Sequence, residues 1–305
     1  MTRHARLSLL VLWCSLTAAS GARAAVFTVA AGPGTPLQDA IDAASPGDTI
    51  RASGHFMEAI VIEKRLTLKP VRTDLYSPVT IDAGCAAPVA VDIRASGVSI
   101  VGTTFARTFH IVNGTATDLG IHDADHVKVT RAVVAGDIGT TCGGETAVDV
   151  ARSTNVKLEV GVGACGFGNP PSVGIHVHDI DTTVRGAGIH VNKFQICVGG
   201  GGTGLLFENV GPSRGLGGAG ITVSKGMIGA NNAGVGAYGA HLVNTSGLKV
   251  VRNVFDGTTN SVLVETGSDD SKLTHNTFVT DAVDHGQGNC WSSNGGAGAF
   301  PTFCP

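Results

Sequence analysis

The sequence predicts an all-β fold, a right-handed parallel β-helix solenoid, and three observations carry that expectation. The first is a repeat. Two apolar residues one apart, with a third position five residues later, occur at Val98/Ile100/Phe105 and return at Val127/Val129/Val134, Val156/Leu158/Gly163 and Thr182/Val184/Ile189. They return again at Ile221/Val223/Ile228, Leu248/Val250/Phe255 and Ser271/Leu273/Phe278, and an earlier copy stands at Leu66/Leu68/Thr73. The intervals run from 23 to 39 residues, and self-similarity on that scale marks a solenoid. The second observation is a leader pair before each copy: Ile60/Ile62, Val91/Ile93, Leu119/Ile121, Val148/Val150, Ile175/Val177, Leu205/Phe207 and Val262/Val264. The third is the period of two within each pair, which puts one face inward and leaves no room for a helix between strands. Each coil is therefore three short strands joined by bends, and parallel crossovers of this kind are right-handed. Ile93, Ile121, Val150 and Val177 are expected to form one buried column.

Residues 1–24 read as a secretory signal peptide. Arg3 and Arg6 give a basic start, Leu7 to Thr17 an apolar run, and Ala22-Arg23-Ala24 a small-residue cleavage site. The run is too short to span a bilayer. A single β-helix domain, residues 25–305, is expected to be secreted or periplasmic. Val26-Phe27-Thr28-Val29 forms a first strand and Gly32-Pro33-Gly34 breaks it. Thr35 is the expected N-cap of a short helix, with Pro36 at its first position. Leu37, Ile41 and Ala44 share one face of that helix, which suits it to cap the open end of the coil.

Leu37-Gln38-Asp39-Ala40-Ile41-Asp42-Ala43-Ala44, Pro46-Gly47-Asp48-Thr49-Ile50, Gly54-His55-Phe56-Met57-Glu58 and Ile60-Val61-Ile62-Glu63-Lys64 resemble the N-terminal run of right-handed β-helix proteins of the pectin-lyase-like superfamily. The resemblance implies the fold. That superfamily includes polysaccharide lyases and hydrolases, esterases, epimerases, adhesins and metal-handling periplasmic proteins. The segment from Gly288 to Pro305, without strand rhythm, resembles the irregular C-terminal cover of exported β-helix proteins.

The chain has 21 basic and 24 acidic residues, a net charge of −3, and the basic signal segment hides a still more acidic mature domain. That balance gives no support for binding nucleic acid or anionic membranes, and no stretch is long enough for a membrane span. Cys85, Cys142, Cys165, Cys197, Cys290 and Cys304 remain after cleavage, an even number that favours disulfides in an exported chain. Cys290 and Cys304 are expected to pair, because an irregular terminus needs a tether. The pairing of the other four and the oligomeric state stay open.

Several motifs bear on chemistry. Gly54-His55-Phe56-Met57-Glu58 is similar to a G-x-[YF]-x-E motif of pectin methylesterases, but the aspartate, glutamine and arginine segments of that family are missing, so it reads as a structural bend. Asp284-His285-Gly286 is similar to the G-H-G of polygalacturonases without its first glycine, and reads as a turn. A pectate-type lyase would need calcium held by carboxylates and a basic residue to remove a proton; Lys157, Arg185 and Lys193 are available. Whether the chain is an enzyme stays open; if it is, a polysaccharide lyase or hydrolase is expected. His176 and His178 share a strand face, which admits a ligand pair, although no metal is assigned. Aligning the leader strands stacks Asp92, Gly120, Asp149, His176 and Leu206 in one outward column, and Arg94, His122, Ala151, His178 and Glu208 in the next. Asp149, His176, His178 and Glu208 then form a candidate substrate-binding patch, walled by an insertion from Gly199 to Gly218. The expected function is contact with an extended polysaccharide along a side face, for binding or processing. The alternatives are a structural or adhesive solenoid and a periplasmic metal-handling protein.

Overall fold

The computed structural model describes residues 24–71, 78–103, 107–135, 146–163, 171–181, 188–199, 201–211, 220–229, 237–257, 259–302 and 304. Residues 1–23 of the expected signal peptide, Arg185, Cys142, Cys165 and the stretch 212–219 lie outside them. Among the described residues, apart from one helix, Pro36–Ala43, the regular structure is strand, and the strands pair in parallel. The chain winds as a right-handed parallel β-helix.

The leader strands stack into a nine-stranded sheet, whereas the middle and third strands merge into one of 19 strands. The two corners of the coil differ, and this explains the merger. Leader and middle strands are separated by a polar turn such as Ala95-Ser96-Gly97. Middle and third strands are separated by a kink at which one residue adopts a left-handed conformation, as at Arg131, Lys193, Lys225, Arg252 and His275. At Lys128–Ala135 the ladder simply runs through the kink, with a register shift between Thr130 and Ala132.

The core runs along the axis. Ile93 lies opposite Ile121, Ile121 opposite Val150, Val150 opposite Val177 and Val177 opposite Phe207. All five are buried, so the predicted column stands, and it continues to Ile62 on one side and through Leu242 to Val264 on the other. The third position shifts in three copies, where Ile81, Ile111 and Val162 take the expected places of Thr73, Phe105 and Gly163 (Thr73 and Phe105 lie outside the described residues), and one copy moves as a whole. Leu158 pairs with Val191 and Val162 with Ile196, so Ile189/Val191/Ile196 replaces the expected Thr182/Val184/Ile189. Val156, Ile189 and Ile221 are then nearly evenly spaced, and the apparent long insertion divides between two coils. The described start of that stretch also takes another role. Gly202 donates to Gly199 O while Thr203 donates to Ser172 O, a tight corner leading into Thr203–Val210 rather than a protruding loop. A Cβ at Gly202 would come within 2.4 Å of Ser172 O.

The helix seats Leu37 and Ile41 on the end of the coil. Thr35 makes no side-chain cap. The buried carboxylate of Glu58 does so instead, accepting from the N–H groups of Leu37 and Gln38 at 2.9 Å each. A carboxylate there complements the unpaired donors and the positive end of the helix dipole. The Gly54–Glu58 motif is therefore structural, with Phe56 buried and Glu58 clamping the cap.

At the other end the ladder persists further than the sequence rhythm indicated, because Cys290–Ser292 and Gly295–Gly296 add strands to the large sheet. Beyond them the cover is irregular, and Cys290 is disulfide-bonded to Cys304 as expected; Cys85 and Cys197 are also disulfide-bonded. Trp291 stacks under Phe278, which meets Phe255 and Phe300. Beside this aromatic stack runs a buried asparagine ladder. Asn253 N–H donates to Asn276 Oδ1 (3.0 Å), and Asn276 N–H to Asn294 Oδ1 (2.9 Å). Each side-chain amide also donates back to a carbonyl of the preceding coil, Val223, Val250 or Leu273. The positive φ belongs to the residue before each of Asn253 and Asn276, Arg252 and His275. These asparagines join coils rather than bend their own backbone.

Candidate functional sites on two faces

The register brings the predicted patch together. Asp149 lies opposite His176, and His178 opposite Glu208. Their inward neighbours Val148, Val150, Ile175, Val177 and Phe207 are buried, so the four polar side chains project from the nine-stranded sheet. Asp149 is the hub. His176 Nδ1 and His178 Nε2 each lie 3.3 Å from its Oδ1, and His122 Nε2 lies 3.0 Å from its Oδ2. The two histidine rings stack with centroids 4.3 Å apart. Each imidazole has a second carboxylate behind it: His178 Nδ1 is 2.9 Å from Asp179 Oδ2, and His122 Nδ1 is 3.1 Å from Asp92 Oδ1. His176 Nε2 is 3.3 Å from Glu208 Oε2 but badly aligned, which leaves this buried nitrogen without a hydrogen-bond partner. Arg94 closes the chain on Asp92 at 2.6 Å.

Charge follows from these contacts. Burial opposes ionisation of Asp149, but hydrogen bonds from His122 and His176 and the nearby charges of His178 and His176 hold its carboxyl far below the usual range. His122, bonded to Asp149 and Asp92, is pushed up to about 9. Burial lowers His176, yet Asp149 and Glu208 outweigh it and the group is raised. The cluster borders an open depression of about 350 Å³ lined by Arg94, His122, Asp123, Asp149, Arg152 and His178. Sequence columns found Asp92, Arg94 and His122 but did not assign them to the patch, and they did not find Arg152, which pairs with Asp123 at 2.8 Å.

A second feature lies on the large sheet. The outward column of the middle strands runs Lys128, Lys157, His190, Thr222, Lys249, Lys272. Parallel to it, the left-handed corners present Arg131, Lys193, Lys225 and Arg252, all exposed. These four border a groove of about 1160 Å³ floored by Val160, Phe194 and Gln195, with Met227 at its edge. Lys193, Lys225 and Arg252 make no ion pair among the described residues. Glu159, 3.2 Å from Lys157, is the one carboxylate among the described lining residues. Net acidity therefore conceals a segregated basic face. Of the three basic residues considered for proton removal, Lys193 lies in this groove, Lys157 is paired, and Arg185 is outside the described residues.

A solenoid with parallel coils, an N-terminal helical cap and sheets of this kind has known counterparts. An alginate lyase from Paenibacillus sp. str. FPU-7 superimposes with a TM-score of 0.56 over 92% of this chain and 98% of that one, at 14% identity. The DFA-IIIase from Arthrobacter chlorophenolicus A6, without its lid and in complex with GF2, gives 0.52 over 91% and 90% at 15% identity. The shared feature is the parallel β-helix fold. At such low identity the likeness concerns architecture alone. No family model matches the sequence, and no curated protein matches it. Among the described residues no helix is long and apolar enough to cross a membrane.

Proposed function

We propose that this protein binds an extended, anionic polysaccharide along its basic face. The observation that carries the reading is the repeated placement of cations beside the groove. Coils are spaced about 4.8 Å apart, close to the length of one sugar unit in an extended chain. Lys193, Lys225 and Arg252 occupy successive coils, since Asn192 pairs with Ser224 and Ser224 with Val251. A polymer with one negative charge per unit would meet one cation per coil. The apolar floor and the side-chain amide of Gln195 suit the faces and hydroxyls of sugar rings, and shallow water-exposed contacts of this sort would be strongly screened by salt. That both structural counterparts carry the names of carbohydrate-active enzymes fits the reading. Export of the domain belongs to the same proposal and rests on the N-terminal segment.

Titration of the full mature chain with a soluble polyuronate, a neutral glucan and duplex DNA tests this. The polyuronate is expected to bind, more weakly as salt rises, and about 10-fold more weakly when Lys225→Gln and Arg252→Gln are combined, which corresponds to about 1.4 kcal/mol. Equal affinity for the neutral glucan, tighter binding of DNA, or an unchanged double variant would each overturn it. Ultraviolet absorbance of unsaturated uronate products in the same mixtures, with and without chelator, separates binding alone from lyase chemistry.

A further inference from the structure

We infer that Asp149, His176 and His178 form a binding site for a divalent transition-metal ion of the zinc type, on the nine-stranded sheet and not the one that carries the basic groove. One ligand atom from each lies within 4.8 Å of the others. Two distances are more specific than that. His176 Nδ1 and His178 Nε2 both stand 3.3 Å from the same oxygen, Asp149 Oδ1. That is long for an N–H···O hydrogen bond, whose usual length is about 2.9–3.0 Å. It matches the edge of a tetrahedron around zinc, about 3.3–3.4 Å for metal–ligand bonds of about 2.0–2.1 Å.

The partners on the far side of each ligand point the same way. A metal-bound imidazole ordinarily gives its other N–H to a carboxylate, which fixes the tautomer and aims the free lone pair at the metal. His178 Nδ1 has Asp179 at 2.9 Å; in the neutral tautomer that gives this N–H to Asp179, the lone pair of Nε2 faces Asp149, 3.3 Å from Oδ1 and 3.4 Å from Oδ2. Two lone pairs directed at each other across 3.3 Å repel unless a cation or proton lies between them. His176 has Glu208 in the equivalent place, at 3.3 Å from a buried Nε2 that otherwise lacks a partner. A small rotation of the ring toward a metal at Nδ1 would bring Nε2–H into line with that carboxylate. Asp149 is steadied through its other oxygen by His122 at 3.0 Å, with Asp92 and Arg94 behind.

Three protein ligands leave a fourth position. Asp149 and His178 line the open depression, so that position faces it, where a water molecule or a small anion near Arg94 and Arg152 would complete the shell. Mixed imidazole and carboxylate donors suit zinc, cobalt or nickel rather than calcium, which takes oxygen ligands. Thiolates are absent from the set, so the site does not resemble a closed structural zinc knot.

Calorimetric titration of the metal-free mature chain with Zn²⁺, and absorbance after adding Co²⁺, decide the matter. One equivalent is expected to bind, with the intense visible band of tetrahedral cobalt. The His176→Ala/His178→Ala pair should abolish it. Glu208→Gln and Asp179→Asn, which spare the ligands, should each weaken binding about 10- to 100-fold, and thermal melts confirm that each variant is folded. Failure of the wild-type chain to bind either ion at millimolar concentration overturns the inference. So does an octahedral cobalt spectrum, or uptake by the double-histidine variant equal to wild type. If the double variant does not fold, unchanged affinity in both carboxylate variants is the overturning result.

Discussion

Asn276→Ala perturbs the coupling between coils at a single buried residue. Asn276 is 1% exposed. Its Oδ1 accepts from the backbone N–H of Asn253 at 3.0 Å and from its side-chain amide at 3.1 Å, and its Nδ2 donates to Val250 O at 3.0 Å. Alanine removes these three bonds and a longer one, 3.4 Å, from Nδ2 to Asn294 Oδ1. Asn294 Oδ1 keeps the backbone N–H of residue 276 and the Val250 carbonyl keeps its place in the parallel ladder opposite Leu273, but the Asn253 N–H loses a partner that water cannot readily replace. A buried polar group left unmade costs about 1–3 kcal/mol, and that is the loss expected here. Trp291, 1% exposed and one coil away, gives a local fluorescence probe for urea unfolding. The expected result is a midpoint shifted down with little change in slope, while Asn260→Ala, at a half-buried site, stays within about 0.5 kcal/mol, the usual range for surface changes. A loss at Asn276 no larger than at Asn260 would refute the ladder as a stabilising element.

Val150→Asp buries an unpaired charge between Ile121 and Val177 and is expected to cost about 3–5 kcal/mol; an unchanged melting temperature would contradict the register. The imidazole of His122, held near pH 9 by Asp149 and Asp92, should titrate by NMR well above the ordinary 6.5. Because its folded value is raised, its contribution to stability is complete below about pH 6.5 and is lost as pH rises through about 9. His122→Asn should flatten that part of the stability profile, and a midpoint near 6.5 would disprove the assigned contacts. Cys304→Ser opens a loop with a sequence separation of 14, worth about 3 kcal/mol in the chain-entropy model. Faster amide exchange confined to the strands from Lys272 onward would be its signature, and uniform protection would contradict a local tether.

Much of this architecture was legible because one rule, apolar alternation, governs the core. Ile93, Ile121, Val150 and Val177 could be aligned from sequence, and the outward residues then followed by parity, which is why Asp149, His176, His178 and Glu208 meet as expected. The rule fails where apolar residues are not what is repeated. Thr182-Thr183-Val184 imitates a strand pair, and placing a copy there hid Ile189-His190-Val191. That one displaced copy also hid the basic corner, since Lys193 lines up with Lys225 and Arg252 only once Val191 is set against Val223. The corner itself is a conformational feature, one left-handed residue per coil, which polar residues of many kinds can occupy. The function of Glu58 as a helix cap depends on a contact across 20 residues of sequence, and no local pattern encodes that distance. Cys290 and Cys304 do pair, although the strands extending to Gly296 show that the tether reinforces a ladder instead of replacing one.

The corner has a metric consequence. The left-handed cation and the asparagine that follows it form one unit at Arg252-Asn253, and His275-Asn276 repeats the arrangement. Loss or duplication of a whole coil would leave neighbouring units intact and change the molecule in steps of about 4.8 Å. Affinity for a long ligand would then change by increments, one per coil, and the shortest ligand to fill the face would lengthen or shorten by one unit each time. If the basic face binds a polymer as proposed, such a protein would work as a ruler, its graduations set by the backbone and its reading determined by how many coils have been laid down.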